Sequence, residues 1–454
     1  MNNTWSQVDL IREAFHYRGR FAGTTMVFKI DFPVTADPLF PSLLKDLALL
    51  AKTGFKILII PGAKECIDSV LDKYGIVSQY IKAEDIGREG YGSSIRLTSA
   101  AAMPFVEMAV FNTAAKFMTG FSGSRVDAVT GNFLRAKGLG VVNGIDMENT
   151  GTVEKIYAKS VSRVLDLGMI PVIPCIGWNP SGRPYNVFSD EIAAAASASL
   201  GANKFFIISL AGALNKKILK VPDSIDTGES SRITRLTPHE AESIIELNKG
   251  RSGIEQKPLK DLSLALRVLK AGVERVHLVN GAEEGAVLKE LFSNLGSGTM
   301  IYAGEYESIR AMHSSDIPDI LRLMEPLMQE GYLVRRSAFD IQEKKDDYIV
   351  FEIDGRIRAC AALHNWGENQ CEIAALAADP AYSDLGIGRR IVNYFIERAA
   401  KTGMKRIFVL TTRTHDWFES LGFREATPES LPEMKRRVYD KKRNSKVFAL
   451  QIAN

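Results

Sequence analysis

Between Thr24 and about Leu295, short unbroken apolar runs alternate with amphipathic stretches, and that alternation leaves few folds open. The runs are Thr25–Ile30, Phe55–Ile60, Leu139–Asn143, Met169–Ile176, Lys204–Leu210 and Val276–Asn280, mostly ended by Gly, Pro or Asn. A strand that is apolar on both faces needs cover on both, so such strands separated by helices predict a parallel sheet between two helical layers. The covering helices are expected at Leu43–Thr53, Ser160–Leu167, Glu191–Leu200 and Leu262–Leu269. Ahead of the first strand, Trp5, Val8, Ile11 and Phe15 recur at helical spacing and predict a separate amphipathic helix over 3–21.

The rhythm changes after Gly296-Ser-Gly-Thr299 and Met300–Gly304, which read as a join. Tyr348–Ile353 and Arg358–His364 flank Asp354-Gly355, the pattern of a hairpin. Cys371–Ala378, rich in small residues, runs through Asp379-Pro380 to a glycine turn at Gly386–Gly388 and a helix reaching Ala400, and Arg406–Thr411 is a further strand. This predicts a mixed, largely antiparallel sheet with helices over about 150 residues. The fold class is therefore α/β followed by α+β. The domains are expected at 1–22 (helix), 23–298 (parallel-sheet α/β sandwich) and 299–454 (α+β domain), with 223–232 a polar loop.

A formal net charge of +3 gives no reason to expect nucleic acid or a membrane surface as partner. The basic cluster Lys435, Arg436, Arg437, Lys441, Lys442 and Arg443 is either a solvated face or an anion site. No apolar run approaches the roughly 18 residues of a membrane span, and the N-terminus has no signal-peptide core. Cys66, Cys175, Cys360 and Cys371 stand at no metal-ligand or redox spacing, which points to reduced thiols and a cytoplasmic chain. The histidines are scattered, and no metal is expected.

The most informative segment is Ala374-Ala-Leu-Ala-Ala-Asp-Pro-Ala-Tyr-Ser-Asp-Leu-Gly-Ile-Gly388. A strand feeds a glycine loop at the start of a helix, where free N–H groups and the helix dipole suit a pyrophosphate. In this order of hairpin, Glu-bearing strand, glycine loop, helix and strand, the C-terminal part resembles the GNAT superfamily of N-acetyltransferases. The family's loop usually begins with Arg or Gln, where this chain has Ser383. The resemblance implies that acetyl-CoA is a cosubstrate held by Leu376, Ala377, Ala378, Leu385, Gly386, Ile387, Gly388 and Arg389.

Further motifs narrow the resemblance. Leu333-Val-Arg-Arg-Ser337, Glu372-Ile-Ala-Ala-Leu-Ala377, Phe408-Val-Leu-Thr-Thr-Arg-Thr414, Trp417-Phe418, Gly422-Phe423 and Arg443-Asn-Ser-Lys446 look like the bacterial N-acetylglutamate synthases, over nearly the whole chain. Glutamate has two carboxylates, and arginine's planar fork grips a carboxylate by two hydrogen bonds, so a selective site needs two such anchors. The resemblance implies Arg335 on the α-carboxylate, Arg443 and Ser445 on the side-chain carboxylate, and Glu372 as general base, directly or through a water. Ala375 lies at the substrate, and a backbone N–H near Ala375–Leu376 would meet the oxyanion. Thr411, with Thr412 as the alternative, would protonate the thiolate. Standing alone, each arginine reads as a surface salt bridge and Glu372 as a surface strand residue.

Residues 24–295 resemble the amino-acid-kinase family, acetylglutamate kinase in particular. That family has Lys-x-Gly-Gly after the first strand, whereas this chain has Lys29-Ile-Asp31-Phe32 and then Pro61-Gly62-Ala63-Lys64. An Asp repels a polyphosphate and a Phe blocks its approach, so the domain is expected to be non-catalytic, although Asp190 partly matches a kinase aspartate. Ile11-Arg-Glu-Ala-Phe-His-Tyr17-Arg-Gly and Glu290-Leu-Phe-Ser-Asn-Leu-Gly-Ser-Gly-Thr299 resemble the walls of an L-arginine effector site. The resemblance thus implies Tyr17, Glu290, Gly296 and Thr299 there, with subunit packing as the alternative role for the helix and a hexamer as the suspected homo-oligomer. The expected reaction is acetyl transfer from acetyl-CoA to the α-amino group of L-glutamate, the first step of arginine biosynthesis. The rivals are a working acetylglutamate kinase with an appended acetyltransferase, an arginine sensor with a decayed acetyltransferase domain, and acetylation of another amine.

Overall fold

The computed structural model describes residues 15, 18, 19, 21–83, 85, 94–222, 225, 231–251, 253–254, 256–292, 296–303, 307–353, 355–380, 382 and 386–452. It divides into two compact units, residues 4–304 and 305–454. The predicted N-terminal helix, Tyr17 included, lies almost wholly outside the described residues.

The first unit is built on six strands: β1 (Thr25–Ile30), β2 (Lys56–Pro61), β3 (Lys204–Ser209), β4 (Arg235–Leu236), β5 (Arg275–Asn280) and β6 (Thr299–Tyr302). Their order is β4-β6-β5-β3-β1-β2. All neighbours run parallel except β5 with β6. Alternate residues go to opposite layers, as a sheet buried on both faces requires. Val27, Leu58, Phe205, Ile207 and Val276 pack with α1 (Ser189–Leu200) and α2 (Gln256–Lys270). Met26, Phe28, Ile57, Ile59 and Phe206 pack with the helices Phe40–Lys52 and Met103–Phe121.

Two strand expectations are corrected. The run expected at Leu139–Asn143 is a strand earlier, at Leu134–Gly138, followed by a short hairpin arm at Val141–Val142. Met169–Ile176 is cut into Ile170–Pro171 and Ile176–Trp178, because Pro171 and Pro174 supply no N–H to a ladder. Ile176–Trp178 joins Leu134–Gly138, Thr150–Ile156 and Pro184–Val187 in a small closed barrel rather than the main sheet. The stretch expected as the join leads into β6, so the first unit keeps it and the division falls between residues 304 and 305.

The second unit holds β7 (Glu307–Ala311), β8 (Tyr348–Ile353), β9 (Arg356–Asn365), β10 (Gln370–Ala378), β11 (Arg406–Thr411), β12 (Arg424–Ala426) and β13 (Lys446–Gln451), ordered β7-β8-β9-β10-β11-β13-β12. All pairs are antiparallel except β10 with β11. Helix α6 (Ile387–Lys401) covers one face through Ile391, Val392 and Phe395. Helices α4 (Ile317–Gln329) and α5 (Ala338–Glu343) cover the other through Ile320, Met324 and Ile341. The short helices α7 (His415–Ser420) and α8 (Glu433–Arg437) complete the unit; α3 (Ala286–Phe292) belongs to the first.

Candidate active site

Strand β10 is regular until a bulge. Ala362 faces Ala374 and Cys360 faces Ala377, so an extra residue is inserted, and Ala375 sits at φ +54°. A bulge of this kind shifts the alternation by one. Cys371 and Ile373 point to the α6 face, whereas Ala375 and Ala377 point to the α4 face, which is also the face of Glu372. Strand β10 pairs with β11 only from Gln370 to Ile373, while β11 continues to Thr411 against β13. Beyond Ile373 the two strands part, and the β11-side backbone of Ala374–Ala378 has no ladder partner.

That open edge leads toward α6. Its N-cap is Gly386, left-handed at φ +60°, with no side-chain cap and no acidic residue in the first turn. The helix start therefore offers bare N–H groups to an anion. Gly388 lies close against Trp417: a Cβ there would stand 3.1 Å from the ring, tighter than ordinary contact. Arg389 is exposed, while Arg390 pairs with Glu307 and lies 4.8 Å from the Phe351 ring. Ile387 is buried in the core. Leu385 and Ser383 lie outside the described residues.

Glu372 is 5% exposed and heavily engaged. Lys435 of α8 donates to both its oxygens, at 2.8 and 2.7 Å, and Trp366 Nε1 donates to Oε2 at 2.8 Å. The Lys435 ammonium also lies 4.7 Å from the Trp366 ring. Directly across the ladder from Glu372 stands His364. Its Nδ1 is 2.6 Å from Asp347 Oδ2, and burial pushes its pKa below the usual histidine value. Lys435, Trp366 and His364 were not singled out from the sequence as site residues. A basic cluster around Lys435 was visible, but nothing local ties Lys435 to a glutamate so far back in the chain.

The arginines converge in part. Arg443 Nη2 donates to the carbonyls of Tyr332 at 2.6 Å and Gly331 at 3.4 Å. Its pKa lies below the usual arginine range, through burial first and the like charge of Arg336 second. Among the described residues, neither of these guanidiniums closes an ion pair. Asp440 acts on Arg443 only weakly, without closing an ion pair, and two like charges so placed suit an anion. Arg335, expected on the α-carboxylate, is exposed; Arg336 beside it is half-buried and is the residue whose charge reaches Tyr348, His364 and Arg443. Ser445 is buried, with its carbonyl accepting from the Tyr439 hydroxyl at 2.7 Å.

Thr411 closes β11. Its hydroxyl oxygen accepts from the N–H of Thr414 at 3.0 Å and of Arg413 at 3.3 Å, and lies 2.8 Å from the Thr414 hydroxyl. With both lone pairs of the oxygen accepting, its own proton points to the Thr414 hydroxyl and must turn from there to reach another acceptor.

In the first unit, a cavity of about 190 Å³ is lined by Lys29, Asp31, Gly62, Lys64, Asp190 and Lys257, among others. Asp31 stands between two ammoniums: Lys29 Nζ lies 2.5 Å from its Oδ1, and Lys257 Nζ lies 2.7 Å from its Oδ2. Asp190 is 2.9 Å from Lys29, and Asp261 is a further partner of Lys257. Lys29 and Lys257 are thus neutralised from within, and the Phe32 ring is covered by Lys116 at 4.8 Å.

Burial raises the Asp31 pKa, but Lys29 and Lys257 outweigh it and hold the carboxyl at about 2. A depressed carboxyl stabilises the fold above its unfolded pKa, and that contribution is lost as pH falls through the folded value. We predict that Asp31→Asn lowers stability near pH 7 by about 2 kcal/mol. The deficit relative to wild type should shrink between about pH 4 and about pH 2. Denaturant unfolding of the full chain at a series of pH values measures this, and an equal deficit at both ends would remove the ionised Asp31 as its source.

Of the expected effector residues, Glu290 is buried. Its Oε2 accepts from the N–H groups of Ser297 at 2.9 Å and Gly298 at 2.7 Å, while Oε1 lies 2.7 Å from His277 Nδ1. Gly296 sits at φ +59° against that carboxylate, and a Cβ there would stand 2.3 Å from Oε2. Thr299 is fully buried, with its hydroxyl accepting from the Leu214 N–H at 2.8 Å. His277 was missed in the sequence. Burial lowers its pKa, and its buried Nε2 has no partner among the described residues.

Comparisons with known proteins agree with this layout. Residues 316–423 match the acetyltransferase (GNAT) family and residues 31–280 the amino acid kinase family. The amino-acid acetyltransferase of Neisseria meningitidis serogroup B is 31% identical over 451 residues, covering 97% of each chain. That of Vibrio vulnificus is 31% identical over 447 residues, again with 97% of each covered. Among solved structures, N-acetylglutamate synthase from Neisseria gonorrhoeae complexed with coenzyme A and L-arginine superposes with a TM-score of 0.82 at 31% identity, covering 99% of this chain and 100% of that one. The same enzyme complexed with coenzyme A and N-acetyl-glutamate gives 0.59 at the same identity and coverage.

Proposed function

The chain belongs to the amino-acid acetyltransferase (N-acetylglutamate synthase) family, and from that premise we propose how its own residues move acetyl from acetyl-CoA to the α-amino nitrogen of L-glutamate. The observation that carries the reading is the pair Arg336 and Arg443, two guanidiniums whose like charges act on each other and neither of which closes an ion pair among the described residues. Arg443, with Ser445 beside it, takes the side-chain carboxylate. The Leu333–Ser337 segment takes the α-carboxylate through Arg335 or Arg336, the half-buried Arg336 being better placed. A substrate gripped at both ends presents its ammonium to the centre of the sheet.

Acetyl-CoA lies along the unpaired edge of Ala374–Ala378, with its diphosphate at the start of α6, where Leu385–Arg389 supply backbone N–H groups and a cation. Glu372 accepts the ammonium proton, and the freed amine attacks the thioester carbonyl. A backbone N–H of the bulge at Ala375–Leu376 meets the oxyanion, a donor fixed in place before charge develops. The thiolate leaves with the C–S electron pair and takes a proton from the Thr411 hydroxyl. No step calls for a metal, and no cluster of metal-ligating side chains occurs among the described residues. Among those residues no helix is long and apolar enough to cross a membrane.

The first unit serves as a regulatory domain that binds L-arginine beside Glu290, Gly296 and Thr299. A neutral His277 whose Nδ1–H faces Glu290 has its Nε2 lone pair free, an acceptor for a guanidinium N–H. A hexamer remains our suspected assembly. The test is a steady-state assay of the full chain with acetyl-CoA and L-glutamate, aspartate, glutamine or lysine, alongside calorimetric titration with L-arginine and an ATP-turnover assay with N-acetylglutamate. Acetylation confined to glutamate, a saturable arginine isotherm and no phosphoryl transfer are expected. Acetylation of lysine in preference to glutamate would overturn the substrate, and ATP turnover would revive the kinase.

A further inference from the structure

We propose that His364 and Asp347 form a second proton-handling pair at this site, in which His364 Nε2 accepts the proton released by the substrate ammonium and delivers it to solvent. The proposal rests on the acetyltransferase reading and adds a catalytic residue to it. The first argument is placement. His364 and Glu372 are direct partners on β9 and β10, so their side chains rise from the same face with Cβ atoms about 5 Å apart. That face also carries the arginine site, since Arg336 acts on His364 as it acts on Arg443.

The second argument concerns what Glu372 can hold. Both its oxygens already accept from Lys435, and one also accepts from Trp366. These three bonds fill three of the roughly four lone-pair positions of the carboxylate, so Glu372 has little room to keep a further proton beside them. The imidazole across the ladder is a group suited to take it. A carboxylate can only accept, so the 2.6 Å contact places the Nδ1 proton toward Asp347. Nε2 then carries the lone pair, in the arrangement by which a third group orients a base. Burial favours the neutral ring, and the charges of Asp347 and Glu372 stabilise the imidazolium once it forms. Asp347 is 37% exposed in its side chain and gives the proton a way out.

The groups facing His364 are Asp347 from the turn before β8, Tyr348 from β8 with ring centroids 6.3 Å apart, Glu372 from β10 with Lys435 behind it, and Arg336 from the segment before α5. The steps balance as follows. The ammonium loses one proton, through Glu372 or a water, to His364 Nε2. The nitrogen lone pair forms the C–N bond and the C–S bond breaks. The second nitrogen proton replaces the one given to the thiolate, and His364 returns its proton to solvent.

A residue that only staples β9 to the turn would lower stability and leave the pH dependence alone. The experiment therefore reads kcat and KM of the full chain for acetyl-CoA and L-glutamate across pH. His364→Gln is expected to lower kcat on the order of tenfold to a hundredfold, to flatten the acidic limb and to leave KM for glutamate nearly unchanged. Asp347→Asn keeps an acceptor for Nδ1 but removes a negative charge that favours the imidazolium, so its acidic limb should move to lower pH; it also serves if His364→Gln does not fold. An acidic limb identical to wild type in both variants overturns the proposal while the acetyltransferase reading stands. A wild-type chain that makes no N-acetylglutamate overturns both.

Discussion

Glu372→Gln is expected to lower turnover by roughly 10²–10⁴, the usual contribution of a positioned general base. The substitution keeps the shape of a side chain that is 5% exposed and can still accept from Trp366. It also strands the Lys435 ammonium, whose side chain is only 13% exposed, and a buried cation without a partner is costly in its own right. The informative comparison is thus with Glu372→Gln combined with Lys435→Met, which removes the stranded charge. If the double variant folds as wild type and turnover stays low, the loss is chemical. If the single variant turns over near the wild-type rate with an unaltered pH profile, Glu372 is not the group that receives the proton.

The second large effect is on glutamate binding. Arg443→Ala should raise KM for glutamate tenfold to a hundredfold, since a charge-assisted hydrogen bond contributes about 1.5–3 kcal/mol. KM for acetyl-CoA should stay nearly unchanged, because we propose that substrate to lie along Ala374–Ala378 and the start of α6. Arg443 also holds the carbonyls of Gly331 and Tyr332, so the alanine variant alone does not separate charge from scaffolding. Arg443→Lys does: it restores a cation without the planar fork and should fall between the two. An unchanged glutamate dependence in both variants would take Arg443 out of the site.

Much of the fold was legible because its signals are local. The strands at Thr25–Ile30, Arg406–Thr411 and Tyr348–Ile353 are continuous apolar runs whose ends are marked in the chain, and they form where expected. Replacement of two glycines by Asp31 and Phe32 was the ground for expecting no phosphoryl transfer from the first domain. The failures have local causes too. Pro171 and Pro174 sit inside an apolar run, and the run was read as one strand in spite of them. Thr299–Tyr302 lay in the glycine-rich stretch read as a join, yet it is the strand β6 and pairs antiparallel with β5.

By itself the sequence determined the two sheets, the glycine start of α6, and Glu372 and Arg443 as residues to be explained, since apolar period, turn residues and motif order are properties of short stretches. Only the tertiary structure decided what stands around Glu372. Lys435, Trp366 and His364 meet it from a helix far down the chain, a turn and a neighbouring strand. The sequence reading put Arg335 on the α-carboxylate, and only the tertiary structure shows that Arg335 is exposed while Arg336 beside it is half-buried. The bulge at Ala375 belongs to the same class: nothing in a run of alanines marks the residue that turns left-handed, because strand register is fixed by the partner strand. Which charges neutralise one another is a matter of distance across the fold, and distance of that kind is not written in sequence order.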